Sequence, residues 1–225
     1  KDKRFQYLKR PEKYLKGANS CRNYGFEKSK GDYIHWLDSD DIIHTDCYKT
    51  CLNILTENDF DFCRFEREVF FNNFEYTKFE NVKFINDSFL IDISKIEQII
   101  TNKIPFNTCN IIWKKASIGK ERFNENIIYA DEWEYYSKLL SNNLNGISIS
   151  NIFLFARKHS DSTTSEFQNK SPNRINSKKK AILLVTQNLM DKQLMTPALL
   201  KYLVGYAISF RDITLLNDIL TISKT

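Results

Sequence analysis

The chain has 225 residues, 42% hydrophobic and 14% aromatic, enough for one sizeable core and at most two domains. Six Gly and four Pro exclude collagen-like and low-complexity architectures. The net charge of +5 is uneven, with basic runs at Lys1–Lys16 and Arg174–Lys180. Both read as solvated surface, and the sharper alternative is attraction to an anion. No nucleic-acid-binding module accompanies them, so no nucleic acid partner is expected.

In chain order, residues 5–8 (FQYL) read as a short strand, and 17–30 as a loop running into a helix capped by Asn19 or Ser20. GDYIHWLD (31–38) is a turn followed by a short apolar strand. Thr45 can cap a helix over 44–55 whose apolar face holds Cys47, Tyr48, Cys51, Leu52 and Leu55. Residues 59–71 read as a strand, and 82–91 stay open. A helix is expected over 94–104, and a buried strand leading into a turn or short helix over 107–118. Residues 130–143 form a helix with Trp133, Tyr136, Leu139 and Leu140 on one face, and 146–159 form a strong strand. From about 176 the pattern is helical to the end, broken near Thr196–Pro197. Alternating strands and helices predict an α/β fold with a mainly parallel central sheet and a C-terminal helical tail. Ligands then sit beyond the carboxyl ends of the strands.

The cysteines, Cys21, Cys47, Cys51, Cys63 and Cys109, are odd in number and show no zinc spacing. They read as reduced thiols of a cytoplasmic protein. The longest apolar stretch, Ala198–Phe210, is too short to span a bilayer and contains Lys201.

The short apolar strand ends in DSDD, which holds Asp38, Asp40 and Asp41. Carboxylates this close repel one another unless a cation joins them, and hard oxygen ligands suit Mg²⁺ or Mn²⁺. By itself the pattern is short and common, and an exposed acidic turn explains it equally well. Asp59 and Asp61 repeat the spacing and read as a strand entry. The longer stretch GANSCRNYGFEKSKGDYIHWLDSDD resembles a segment of the family 2 glycosyltransferases with the GT-A fold. The matching residues are Gly17, Arg22, Asn23, Gly25, Gly31, Tyr33, Asp38, Asp40 and Asp41. This resemblance implies a donor site for a nucleoside-diphosphate sugar. Arg22 and Asn23 would shape its pocket, Asp38 would lie near the nucleoside or sugar, and Asp40 with Asp41 would hold the metal.

Two later segments extend the resemblance over roughly residues 5–165. RFNENIIYADEWEYYSKLL is similar to the family's segment in which an acidic pair opens a helix and supplies the catalytic base. Here the pair is inverted to Asp131-Glu132, so Glu132 takes the base position or Asp131 does the work; helix-dipole pairing alone would also explain both. FARKHSDSTTS resembles a late segment in which Arg157, His159 and Ser162 match. Arg157 would pair with phosphate oxygens, and His159 would ligate the metal or touch the diphosphate.

The implied reaction is an inverting, metal-dependent sugar transfer to a saccharide or lipid-linked acceptor, as in bacterial cell-surface polysaccharide synthesis. The division expected is 1–170 as the GT-A-like domain and 171–225 as a helical extension, with peripheral membrane association open to the latter. The family's opening strand and its base-binding second strand have no counterpart before Lys1, so the chain reads as one lacking that first portion. Two alternatives stay open: another metal-dependent nucleotidyl transferase, and a non-catalytic carbohydrate- or partner-binding domain.

Overall fold

The computed structural model describes residues 4–80, 87–159 and 162–224. Six strands form one sheet: β1 (Tyr33–Ile34), β2 (Ile42–Ile43), β3 (Phe62–Phe71), β4 (Ser88–Ile91), β5 (Ile111–Lys114) and β6 (Gly146–Lys158). Their order is β1-β5-β3-β6-β2, with β4 also paired to β6. β3 and β6 run parallel. The other pairings are antiparallel. The expectation of a mainly parallel sheet is therefore corrected to a mixed one. Helix–strand alternation shows that helices separate the strands, not which way each strand enters. β1 and β2 are two-residue strands on either side of the DSDD segment, β1 docked on the four-residue β5 and β2 on the thirteen-residue β6.

Nine helices longer than a single 3₁₀ turn flank the sheet or follow it among the described residues: α1 (Ala18–Lys28), α2 (Cys47–Glu57), α3 (Ile96–Ile100), α4 (Lys115–Ile118), α5 (Asp131–Leu140), α6 (Thr163–Gln168), α7 (Pro172–Asp191), α8 (Pro197–Ser209) and α9 (Ile213–Ile222). Side chains alternate across β5. Ile111 and Trp113 join one core with Phe26 of α1, Phe62 of β3 and Tyr136 and Leu139 of α5. Ile112 points to the opposite core, with Cys47, Cys51 and Leu55 of α2. The sheet is thus covered on both faces, as its apolar strands require. The third cluster joins α7, α8 and α9 to Ile96 and Ile100 of α3 and to Trp133 of α5.

Several local expectations change. Residues 5–8 form no strand, and Phe5 and Tyr7 are exposed. Asn19 and Ser20 lie inside α1, buried, and its N-cap is Gly17 at φ 154°, a conformation that favours glycine. Helix α2 begins after Asp46, not at Thr45. Of the open stretch 82–91, residues 82–86 lie outside the described residues and the rest carries β4. Helix α6 was not anticipated; it is capped by Ser162, whose hydroxyl accepts from the Ser165 N–H. The break at Thr196–Pro197 is a second cap, with Pro197 at the helix start and Thr196 accepting from the Leu199 N–H. All five cysteines are unpaired. Among the described residues no helix is long and apolar enough to cross a membrane.

Candidate active site

Asp38, Asp41, Arg22, Asp131 and Glu132 line one cleft of about 580 Å³. Three stretches far apart in sequence bring them there, α1, the loop between β1 and β2, and the start of α5, and the turn at 107–109 adds Asn107 and Cys109 to the lining. Arg22 is the junction. Its guanidinium donates to Asp131 Oδ2 at 3.0 Å and to Asp38 Oδ1 at 3.3 Å, and also to Asn19 Oδ1 at 3.1 Å. Asn19 in turn donates to the carbonyls of Asn124 and Ile127, at 3.0 and 2.8 Å, tying α1 to the segment that leads into α5.

The acidic pair is divided by its hydrogen bonds. Glu132 accepts from the Thr108 N–H at 2.7 Å and from the Asn107 amide at 3.3 Å, so it braces the turn before β5. Asp131 faces Arg22 instead. Burial, reinforced by the nearby Glu132 charge and opposed by Arg22, raises the Asp131 carboxyl to about 6. The preceding Ala130 is left-handed, at φ 63°, a turn that launches α5 with its acidic end toward the cleft.

Asn23, expected to shape the donor pocket, and Arg157, expected to pair with phosphate oxygens, each make hydrogen bonds across the fold. Asn23 is buried, donates to the Phe123 carbonyl at 2.9 Å and Glu125 Oε1 at 3.1 Å, and accepts from the Phe123 N–H at 3.0 Å. A short amide with all its groups satisfied this way is a clamp between α1 and 123–125. Arg157 donates its Nε to the Asp40 carbonyl at 3.2 Å and an Nη to the Asn72 carbonyl, and its backbone N–H to Asp41 Oδ1 at 3.1 Å. It fastens the DSDD loop to the ends of β3 and β6.

The expected metal trio does not converge on one point. Asp40 turns to His159, with Oδ2 and Nε2 3.4 Å apart and both side chains nearly half exposed. Asp41 turns to Asp38 and Cys109, whose ligand atoms all lie within 4.8 Å of one another, the one such cluster among the described residues. Burial first, then the negative neighbours Asp40 and Asp38, raises the Asp41 carboxyl, opposed by the hydrogen bond from the Arg157 N–H. Burial and the Asp38 charge push the Cys109 thiol well above its usual range. Hard carboxylate oxygens suit Mg²⁺ or Mn²⁺ better than a thiol does, so Asp38 and Asp41 are the fitting part of this cluster, with the Asp40–His159 pair beside it on the same loop and the end of β6.

Some site features carried little sequence signal. The turn around Cys109 is held from behind by His35, whose Nε2 lies 2.9 Å from the Cys109 carbonyl while Nδ1 lies 3.1 Å from Tyr48 Oη. A polar NTCN ahead of an apolar strand was its one trace. Lys178, from the basic run read as solvated surface, lines the cleft as well. The second Asp-x-Asp is structural: Asp61 Oδ2 accepts from the Asn145 N–H at 2.7 Å at the entry to β3.

Comparison with known proteins identifies the family and the fold. Residues 1–126 match the family model described as glycosyl transferase family 2. Two uncharacterized glycosyltransferases are similar over short segments. One, from Rickettsia bellii, is 44% identical over 28% of this chain and 9% of its own length. The other, from Haemophilus influenzae, is 43% identical over 26% of this chain and 22% of its own. The minor teichoic acid biosynthesis protein GgaB of Bacillus subtilis is 23% identical over 56% of this chain and 13% of its own length. The matched part is thus under a quarter of each of these relatives. The crystal structure of S. aureus TarS 1–349 in complex with UDP superposes with a TM-score of 0.62 at 13% identity, covering 92% of this chain and 60% of that one. The GT-A-like α/β fold with added C-terminal helices is therefore the observed one. With its family model matched over more than half its length, the chain belongs to glycosyl transferase family 2.

Proposed function

We propose that this chain transfers a sugar from a nucleoside-diphosphate sugar to an acceptor hydroxyl, with Asp131 as the general base. The observation that carries this reading is the Asp131–Arg22–Asp38 chain, which joins the acidic start of α5 to the DSDD loop across one cleft. Asp131 is preferred over Glu132 because Glu132 already accepts two hydrogen bonds from 107–108. Relatives named for glycosyl transfer and for teichoic acid biosynthesis support a role in building a cell-wall polysaccharide. The neighbours solved with UDP and with UDP-GlcNAc support a uridine nucleotide donor.

Asp131 takes the proton from the acceptor hydroxyl as its oxygen bonds to the anomeric carbon. The bond from that carbon to the diphosphate oxygen breaks in the same displacement, which inverts the configuration. Arg22 holds Asp131 and Asp38 in register, and Arg157 keeps the DSDD backbone in place. Asp40 and His159, with Asp41, would hold Mn²⁺ or Mg²⁺, which when bound neutralises charge on the leaving diphosphate. The division into a transferase domain, 1–170, and a helical extension, 171–225, belongs to the same proposal.

The test is a panel of nucleoside-diphosphate sugars incubated with the complete protein and Mn²⁺, with the nucleotide products separated by chromatography. Release of the nucleoside diphosphate, lost in Asp131→Asn and in chelator, is the expected result. Release of pyrophosphate would assign nucleotidyl transfer. Oligosaccharide binding with no turnover and no nucleotide binding would assign a non-catalytic module.

A further inference from the structure

The basic run on α7 divides in an informative way. Arg174 pairs with Glu166 at 2.7 Å, and Lys179 pairs with Asp212 at 2.6 Å. Lys178 makes no ion pair among the described residues. Its side chain leaves the surface and lines the cleft that also holds Asp131 and Glu132. There its ammonium rests 4.0 Å from the centre of the Trp133 ring and 4.6 Å from that of Tyr206. Trp133 is itself fixed, since its Nε1–H donates to the Ile100 carbonyl at 3.0 Å. Tyr202 completes this wall of the cleft, its hydroxyl 3.1 Å from that of Tyr206.

Two aromatic faces attract a cation but do not replace a counter-ion. Desolvation alone lowers the Lys178 ammonium to about 8, so near neutral pH it remains charged, with no carboxylate of the described residues paired to it. An uncompensated, desolvated charge is costly, and in a cleft open to solvent an anion from outside the protein can answer it. Its position says which substrate brings the anion. Lys178 adjoins Trp133, which stands two residues along α5 from Asp131, the group proposed to meet the acceptor hydroxyl. It also lies beyond residues 1–126, the part matched by the family model. The flat faces of Trp133, Tyr202 and Tyr206 beside it suit the apolar face of a sugar or polyol.

We propose that Lys178, set among Trp133, Tyr202 and Tyr206, recognises an anionic group on the acceptor, so that the acceptor is a glycan or polyol chain bearing phosphate or carboxylate. This rests on the cleft being the transferase site proposed above. The C-terminal helices then select the acceptor, while the Asp38–Asp41 side holds the donor.

Calorimetric titration of the complete protein tests this with four probes: an oligo(glycerol phosphate), an oligogalacturonate, neutral maltohexaose, and UDP with Mn²⁺. Expected is binding of one or both anionic oligomers in preference to maltohexaose, weakened by salt. Lys178→Met, which keeps the aliphatic stem, should weaken that binding about tenfold or more, and Lys178→Arg should restore most of it. Which oligomer binds separates phosphate from carboxylate. Equal binding of charged and neutral oligomers to the wild type overturns the proposal without any variant. So does an unchanged affinity in Lys178→Met, or an equal loss of UDP affinity, which would place Lys178 on the donor. Failure of UDP to bind, with Lys178-dependent oligomer binding intact, would instead remove the donor reading and leave the anionic subsite standing.

Discussion

Asp131 and Arg22 form a titrating unit whose behaviour follows from burial. Asp131 ionises near 6 in the fold against 3.8 for the free side chain, so the folded protein holds this proton more tightly than the unfolded chain. Its contribution to stability is full below about pH 4 and is lost as pH rises through about 6. Ionised Asp131 is the form that accepts a proton, so kcat/KM should rise with pH along a limb near 6. Arg22→Met removes a group that lowers the Asp131 carboxyl; the limb should move to higher pH, and the pH-rate profile reads the shift. Asp131→Asn should cost about 10²–10⁴-fold in turnover while leaving UDP affinity near wild type, as measured by single-turnover kinetics and calorimetry. Glu132→Gln keeps an acceptor for the Thr108 N–H, so its loss in rate should be smaller than that of Asp131→Asn. Asp40→Asn and His159→Ala should each make UDP binding insensitive to added Mn²⁺.

At the scale of elements, the pairing of β3 with β6 decides where the cleft opens. Gly146 starts β6 opposite Phe62, and a Cβ there would sit 2.2 Å from the Phe62 ring. That ring is fully buried and packs 4.6 Å from Trp113 and 5.5 Å from Phe106, centroid to centroid, so it has little room to move. Gly146→Ala should destabilise the protein by about 1–3 kcal/mol through overpacking, seen as a lower midpoint in chemical denaturation. β3 also secures the turn that meets Glu132. Buried Arg64 donates to the Pro105 carbonyl at 2.7 Å, Ser148 Oγ at 2.7 Å and Glu66 Oε1 at 2.6 Å, and the Asn110 amide donates to the Phe65 carbonyl at 2.9 Å. These bonds explain how a polar turn is held rigid beside the site.

For the whole molecule, the C-terminal helices act as a wall as well as a cover. Val185, Leu189, Leu203 and Ile219 pack with Ile96, Ile100 and Trp133, and the same assembly carries Lys178, Tyr202 and Tyr206 into the cleft. Removing residues 171–225 would bare that apolar face and release Trp133. The shortened chain should aggregate or unfold non-cooperatively, and any soluble fraction should keep UDP binding better than acceptor binding; gel filtration and calorimetry distinguish these outcomes.

Much was legible in the sequence because it is local. β6 and α5 follow from period-2 and helical patterning, and the break at Thr196–Pro197 from capping chemistry. Arg22, Asp38, Asp41 and the acidic pair were singled out by the resemblance of their longer segments to a known family, and the fold brings them to one cleft. Strand direction was not legible, because a two-residue strand such as β1 or β2 is defined by its partner and not by its own residues. Nor was the division of labour among polar side chains. Asn23 and Arg157 read as ligand residues in the sequence, and only the fold shows that they also hold backbone carbonyls remote in the chain. Lys178 stands beside Lys179 in a run of like charges, and only helix packing sends one to Asp212 and the other into the cleft. The sequence alone thus determined the chemistry available at the site. The tertiary structure decided which groups remain free to use it, because hydrogen-bond satisfaction and desolvation depend on neighbours remote in the chain.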